Sequence, residues 1–175
     1  MNLFEIQPPE CRKQLTFETS KITTKSKVFK RILNFDPTSL YEKINQSKKL
    51  NPFKRFCKIE FSILFPKIEG VCGCGCEQKL TGRRSRWASS DCQRFATSVY
   101  HIITGNATFL RKLRKIIIGG YFCEICFKDK VDLELDHLIP IKHGGGGSWL
   151  SNYQFKCKAC HRIKTNNDFG FQPKK

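Results

Sequence analysis

Cys123-Glu-Ile-Cys126, Leu135-Asp136-His137, Ser151-Asn152-Tyr-Gln and Cys157-Lys-Ala-Cys160-His161 follow one another within residues 123–161. Two Cys-x-x-Cys pairs separated by about thirty residues have the spacing of a tetrahedral thiolate site, each pair gripping one zinc ion from its own knuckle. Two disulfides are the alternative. They need an oxidising compartment, and Met1 to Glu10 has no apolar core of a secretion signal, so an intracellular, cytoplasmic setting and zinc are expected. An Asp, two His and an Asn lie between and beside the cysteines, the residue types that metal-assisted phosphodiester hydrolysis requires.

Outward from the cysteines, Val131 to Asp136 alternates apolar and polar residues and reads as a short strand. The run Gly144 to Gly147 reads as a turn, and Ser151 to Phe155 as the returning strand. A helix is expected from about Lys158, carrying His161 and Lys164 on one face. His161 could in principle replace a cysteine at the zinc, but that would leave one cysteine spare, so four thiolates are the simpler set. His143 reads as a loop residue and His101 as a structural one.

Over roughly residues 121–168 this order resembles the HNH endonucleases of the ββα-metal type. Asp136-His137 is similar to the family's Asp-His pair, Gly144-Gly145 to its glycine turn, Ser-Asn152-Tyr-Gln to its middle Asn motif, and Cys157-x-x-Cys160-His161-x-x-Lys164 to its closing motif. The resemblance implies that His137 is the general base, that Asp136 and His161 bind a catalytic divalent ion, and that Asn152 supports the base's orientation. The chemistry is consistent with those roles. An imidazole can take a proton from water near neutral pH, and Mg²⁺ or Mn²⁺ needs few protein ligands because it keeps waters and accepts substrate oxygens. Arg162 and Lys164 are candidates for phosphate contact.

Charge points to the same substrate. The chain carries 32 Lys+Arg against 15 Asp+Glu, a formal net charge of +17. Eight thiolates around two dications would reduce that excess without reversing it. Such a surface binds polyanions, and with no lipidation motif or long apolar span the expected partner is DNA rather than a membrane.

A second cysteine group, Cys72-Gly-Cys74-Gly-Cys76 with Cys92, could hold another zinc, the glycines letting the backbone bend around it. The region resembles small zinc-finger modules that end in an Arg-rich strand, an aromatic and a Cys-Ser-x-x-Cys helix start, except that Ala88 stands where the first of those cysteines is expected. Arg83, Arg84, Arg86 and Trp87 form a basic-aromatic stretch suited to DNA contact. Ser90 or Asp91 is expected to cap a helix through Phe95 and Val99 to Ile103. A further helix, from about Thr108 to Ile117, should carry Arg111, Lys112, Arg114 and Lys115 on its outer face. In the basic region 1–70, Phe56 to Phe65 reads as a strand and Leu40 to Ile44 as a short helix; Cys11 and Cys57 have no assigned role.

The expected fold is thus a small zinc-stapled α+β protein. It comprises a basic N-terminal region (1–70), a Cys-rich zinc-finger-like module (71–105), and a linking helix with the nuclease module (106–175). The expected function is metal-dependent DNA cleavage of restriction type. A non-catalytic zinc DNA-binding protein, a homing or mobile-element nuclease and an unspecific toxin-type nuclease are the alternatives. Double-strand cleavage would call for a homodimer with twofold-related sites, nicking for a monomer.

Overall fold

The alternating stretch does form a strand, β1, over Leu133–His137. It pairs antiparallel with β2, Tyr153–Cys157, setting Leu133 against Cys157, Glu134 against Lys156, Asp136 against Gln154 and His137 against Tyr153. In this computed structural model, residues 26–46, 58–129, 131–140, 143 and 149–170 are described. They fall into two compact units, one drawn from Ser20–Asn106 and one from Ala107–Lys175. The glycine run Gly144–Gly147 and both Cys11 and Cys57 lie outside the described residues.

In the C-terminal unit, helix α5 spans Ala107–Ile117, followed by Gly119 in the left-handed region at φ 72°. The chain then forms the Cys123–Cys126 knuckle, where Phe127 also takes a positive φ of 58° and donates its N–H to Cys123 O at 2.8 Å. After β1 and β2, helix α6 runs Lys158–Phe169 and ends on Gly170 in the αL conformation. The returning strand starts at Tyr153 rather than Ser151. Leu150–Asn152 is a 3-10 turn, because the Asn152 N–H bonds back to Trp149 O at 2.8 Å.

Strand alternation gives the sheet two unlike faces. Leu133 and Phe155 pack with Cys123 on one, flanked by Ile118, Val131, Leu135, Cys157 and Cys160. On the other lie Glu134, Asp136, Gln154 and Lys156, and this polar face is also covered: Gln154 is 3% exposed and Lys156 1%.

Helix α5 departs from the expected pattern at Arg114. Arg111, Lys112 and Lys115 are exposed, but Arg114 is buried. Its guanidinium grips Glu124 in a two-point pair, Nε to Oε1 at 2.9 Å and Nη2 to Oε2, and donates to Leu150 O at 3.4 Å. Glu124 Oε1 in turn accepts the N–H of Phe155 at 2.7 Å, and Glu124 N–H bonds to Phe155 O at 2.9 Å. Arg114 therefore ties helix, knuckle and β2 together instead of meeting phosphate.

In the N-terminal unit, α1 (Lys27–Leu33) is capped by Ser26, whose Oγ accepts from Phe29 N at 3.3 Å. Asp36 Oδ1 accepts from Thr38 N at 2.9 Å at the start of α2, Thr38–Gln46, which buries Leu40 and Ile44 at i, i+4 spacing. Where Phe56 to Phe65 was expected to be a strand, Phe61–Leu64 is a single helical turn, α3; residues 56 and 57 lie outside the described set. The turn buries Leu64 and Phe65 together, and Phe61 meets Tyr100 edge-on at 5.2 Å, a grouping that strand alternation would split between two faces. Helix α4, Ser90–Ile103, is capped by Ser89, just before the expected Ser90 or Asp91; Ser89 Oγ accepts from Cys92 N at 3.2 Å. It buries Phe95, Ala96, Val99, Ile102 and Ile103, and α1 packs along it, with Phe35 edge-on to Phe95 at 5.2 Å.

Removing a buried charge's partner leaves the other uncompensated, so Arg114→Ala is expected to cost about 3–5 kcal/mol of stability. The exposed Arg111→Ala should stay within about 0.5 kcal/mol of wild type. Urea unfolding of the two variants side by side checks this.

Candidate functional site

The candidate site is built on the polar face of the β1–β2 sheet, where α6 lies against both strands. Glu134 and Asp136 are two apart on β1 and so point the same way; His161 and Lys164, three apart on α6, meet them. His161 Nδ1 bonds to Glu134 Oε2, and His161 Nε2 stands 3.5 Å from Asp136 Oδ1. With Nδ1 engaged by Glu134, Nε2 is the nitrogen turned toward Asp136. Adjacent ligands of one hard divalent ion with bonds of about 2.0–2.1 Å lie about 3 Å apart, so this carboxylate oxygen and imidazole nitrogen could take one ion after closing by about 0.5 Å.

The other Asp136 oxygen is engaged by cations: Lys156 Nζ is 3.0 Å from Oδ2 and Lys164 Nζ 3.6 Å. Lys164 also pairs with Asp168, one turn further along α6. Burial would raise the Asp136 pKa, but Lys156, Lys164 and His161 outweigh it and hold the carboxylate below its ordinary value. Lys156 is itself pushed below the usual lysine range by burial, which Asp136 offsets in part.

His137 ends β1, half-buried, its ring 4.8 Å from that of its register partner Tyr153. Burial lowers its pKa; Asp136 opposes the shift and the Lys164 charge adds to it, so the imidazole is neutral at neutral pH. Asn152 clamps the chain leaving His137. Its Oδ1 accepts from Ile139 N at 2.7 Å, its Nδ2 donates to Ile139 O at 3.1 Å, and its own carbonyl accepts from Leu138 N at 2.8 Å. These three bonds fix the backbone that follows His137.

Arg162 is exposed on α6. His143 bonds through Nε2 to Asp168 O at 3.1 Å, and His101 Nδ1 is 3.4 Å from Asn106 Nδ2. Sequence reasoning named Asp136, His137, Asn152, His161 and Lys164 but missed Glu134, Lys156 and Tyr153. The alternation that reveals β1 already puts Glu134 beside Asp136. Lys156, flanked by Phe155 and Cys157, is the one charged residue in β2.

Cys123, Cys126, Cys157 and Cys160 bring their sulfurs within 4.8 Å of one another, and Cys72, Cys74, Cys76 and Cys92 do the same. All eight are free of disulfides. Zinc–sulfur bonds of about 2.3 Å imply a tetrahedral edge of about 3.8 Å. Cys126–Cys157 at 3.9 Å and Cys76–Cys92 at 3.8 Å fit, and Cys72–Cys74 at 3.3 Å is slightly tight. Both groups could hold zinc. Burial opposes ionisation of Cys123, but N–H groups from Cys126, Cys157 and Ile125 bring it down to about 6. Cys160, hydrogen-bonded by Cys157, is pushed up to about 12.

In the other group, burial opposes ionisation of Cys72 while the N–H groups of Ala88 and Cys74 lower it to about 7; Ala88 N lies 3.2 Å from the Cys72 sulfur. Ala88, in the place of an expected cysteine, thus serves the cluster through its backbone, and Cys74 supplies the sulfur. Arg31 of α1 donates to Cys74 Sγ at 3.3 Å and to Cys74 O at 3.2 Å while lying 3.8 Å over the Phe95 ring. Gly73 approaches its neighbours so closely that a Cβ would stand 2.7 Å from Pro66 O.

The basic-aromatic stretch is partly committed to this packing. Arg86 donates to Phe65 O and lies 5.0 Å from the Phe61 and Trp87 rings, Trp87 is half-buried, and Arg84 bonds to Ala88 O. Arg83 and most of Arg84 remain exposed.

Residues 123–167 match the family model of the HNH endonucleases, so the C-terminal part of the chain carries an HNH domain, which implies a nuclease or DNA-binding function. No curated protein and no solved structure matched the chain. No helix among the described residues is long and apolar enough to cross a membrane.

Asn152→Ala removes both side-chain bonds to Ile139 and leaves that peptide unit partly unsatisfied, an expected loss of about 1–3 kcal/mol. Asn152→Asp keeps the acceptor for Ile139 N and should retain more of the stability. Thermal melts of the two variants beside wild type distinguish the cases.

Proposed function

We propose that the protein is a metal-dependent HNH endonuclease that hydrolyses DNA phosphodiester bonds. The observation that carries this reading is the 3.5 Å approach of Asp136 Oδ1 to His161 Nε2, inside the matched stretch and next in sequence to His137. Asp136 and His161 would hold Mg²⁺ or Mn²⁺, which when bound supplies charge neutralisation at the scissile phosphate. His137 takes the proton of the attacking water, its ring steadied by Tyr153 and its backbone by Asn152. Glu134 keeps His161 in the tautomer that offers Nε2. Two zinc ions, one in each four-sulfur group, hold the frame and take no part in the reaction.

The exposed cations Arg83, Arg84 and Arg162 are proposed phosphate contacts, with Arg86 and Trp87 supporting them from the packed side of the stretch. Arg111, Lys112 and Lys115 form a further exposed basic face on α5. A single site cuts one strand, so a nick is the elementary product, and a restriction-type enzyme would have to act as a dimer to cut both strands.

The test is supercoiled plasmid with Mg²⁺ or Mn²⁺. Wild type should cut and EDTA should stop it, while His137→Ala should lose about 10²–10⁴-fold in rate. No cleavage of diverse DNA by wild type would leave a non-catalytic DNA-binding protein. Discrete fragments from a defined DNA favour restriction-type specificity, and a smear favours an unspecific nuclease. Elemental analysis should find two zinc ions per chain, falling to one in Cys160→Ala and one in Cys92→Ala. A single zinc in wild type would refute the second site.

A further inference from the structure

Lys156 is the feature that the proposed chemistry leaves unused. It sits in the middle of β2's polar face with 1% of its surface exposed, and a lysine is almost never buried so fully without a partner. Its partner is Asp136, at 3.0 Å from Nζ to Oδ2. Lys164 approaches the same oxygen at 3.6 Å, whereas Oδ1 faces His161 Nε2. The two oxygens of one carboxylate are therefore divided between two tasks. An ion chelated by both oxygens would have to displace the buried Lys156 ammonium.

We infer that Lys156 is a positioning residue for the metal: it reserves Oδ2 of Asp136, leaves Oδ1 alone to the divalent ion, and keeps that ion weakly held and exchangeable. The inference rests on the proposed Asp136–His161 metal site. A fixed positive charge beside a ligand lowers that ligand's affinity for any cation, by about tenfold for each pKa unit of coupling. A lysine placed there only to fill space would have the opposite signature, since removing it would loosen Asp136 and weaken metal binding.

The test titrates zinc-loaded full-length protein with Mn²⁺, reading free Mn²⁺ by electron paramagnetic resonance. Lys156→Met should bind Mn²⁺ about tenfold tighter than wild type, Lys156→Arg should stay near wild type, and Asp136→Asn should lose the site. Mn²⁺ should also raise the melting temperature of Lys156→Met more than that of wild type, because the ion takes over a carboxylate that the variant leaves to Lys164 alone at 3.6 Å. Equal or weaker Mn²⁺ binding in Lys156→Met, with Asp136-dependent binding intact in wild type, overturns the inference alone. Absence of Asp136-dependent binding in wild type overturns the metal site and the inference with it. Should Lys156→Met be unfolded without metal, Mn²⁺-induced folding supports the inference, and a chain that stays unfolded with Mn²⁺ refutes it.

Discussion

The C-terminal unit depends on one constraint: Cys157 is both the last residue of β2 and the residue from which α6 starts. Its sulfur belongs to the same group as Cys123, Cys126 and Cys160, so strand, knuckle and first helical turn share a single point. From that point the geometry runs in two directions. Along the strands, a period of two and a fixed register bring Glu134 and Asp136 to one face. Along the helix, a period of 3.6 carries His161 and Lys164 over them. A slip of one residue in either element would separate Asp136 from His161.

The polar face then follows from electrostatics rather than apolar burial. Asp136 and Asp168 meet Lys156 and Lys164, and Glu134 meets His161. Taking the Lys156 charge out of water is unfavourable unless it is paired, and Asp136 pairs it. Their arrangement is nonetheless asymmetric. Both ammonium groups approach Oδ2 of Asp136, leaving Oδ1 and His161 Nε2 as the pair facing each other. The opposite face is ordinary core, with Phe155 fully buried against Cys123 and Leu133.

What could be read beforehand was what repeats or is chemically distinctive. Cysteine spacing revealed both four-sulfur groups, alternation revealed β1, and apolar spacing revealed α4 and α5 nearly to their ends. Misreadings came where a residue's role was decided by a distant neighbour. Arg114 looked like one more outward cation because Glu124, its partner, belongs to the Cys123–Cys126 knuckle and gives no local signal. Phe56 to Phe65 looked like a strand because hydrophobic residues in a short run do not reveal their period; Tyr100 and Trp87, far along the chain, settle Phe61 into a helical turn. Lys156 escaped notice because a lone lysine in a strand is usually at a solvated edge, and only the covering helix makes it internal.

The clamp between Asn152 and Ile139 has a bearing on how such a protein can change. It closes the sheet at the end opposite the sulfurs, by three hydrogen bonds that involve the backbone of Leu138 and Ile139 rather than any particular side chain there. Substitutions of the Leu138 and Ile139 side chains therefore leave all three bonds in place, and a change at Asn152 itself loosens the turn out of β1 without touching the sulfur end of the sheet.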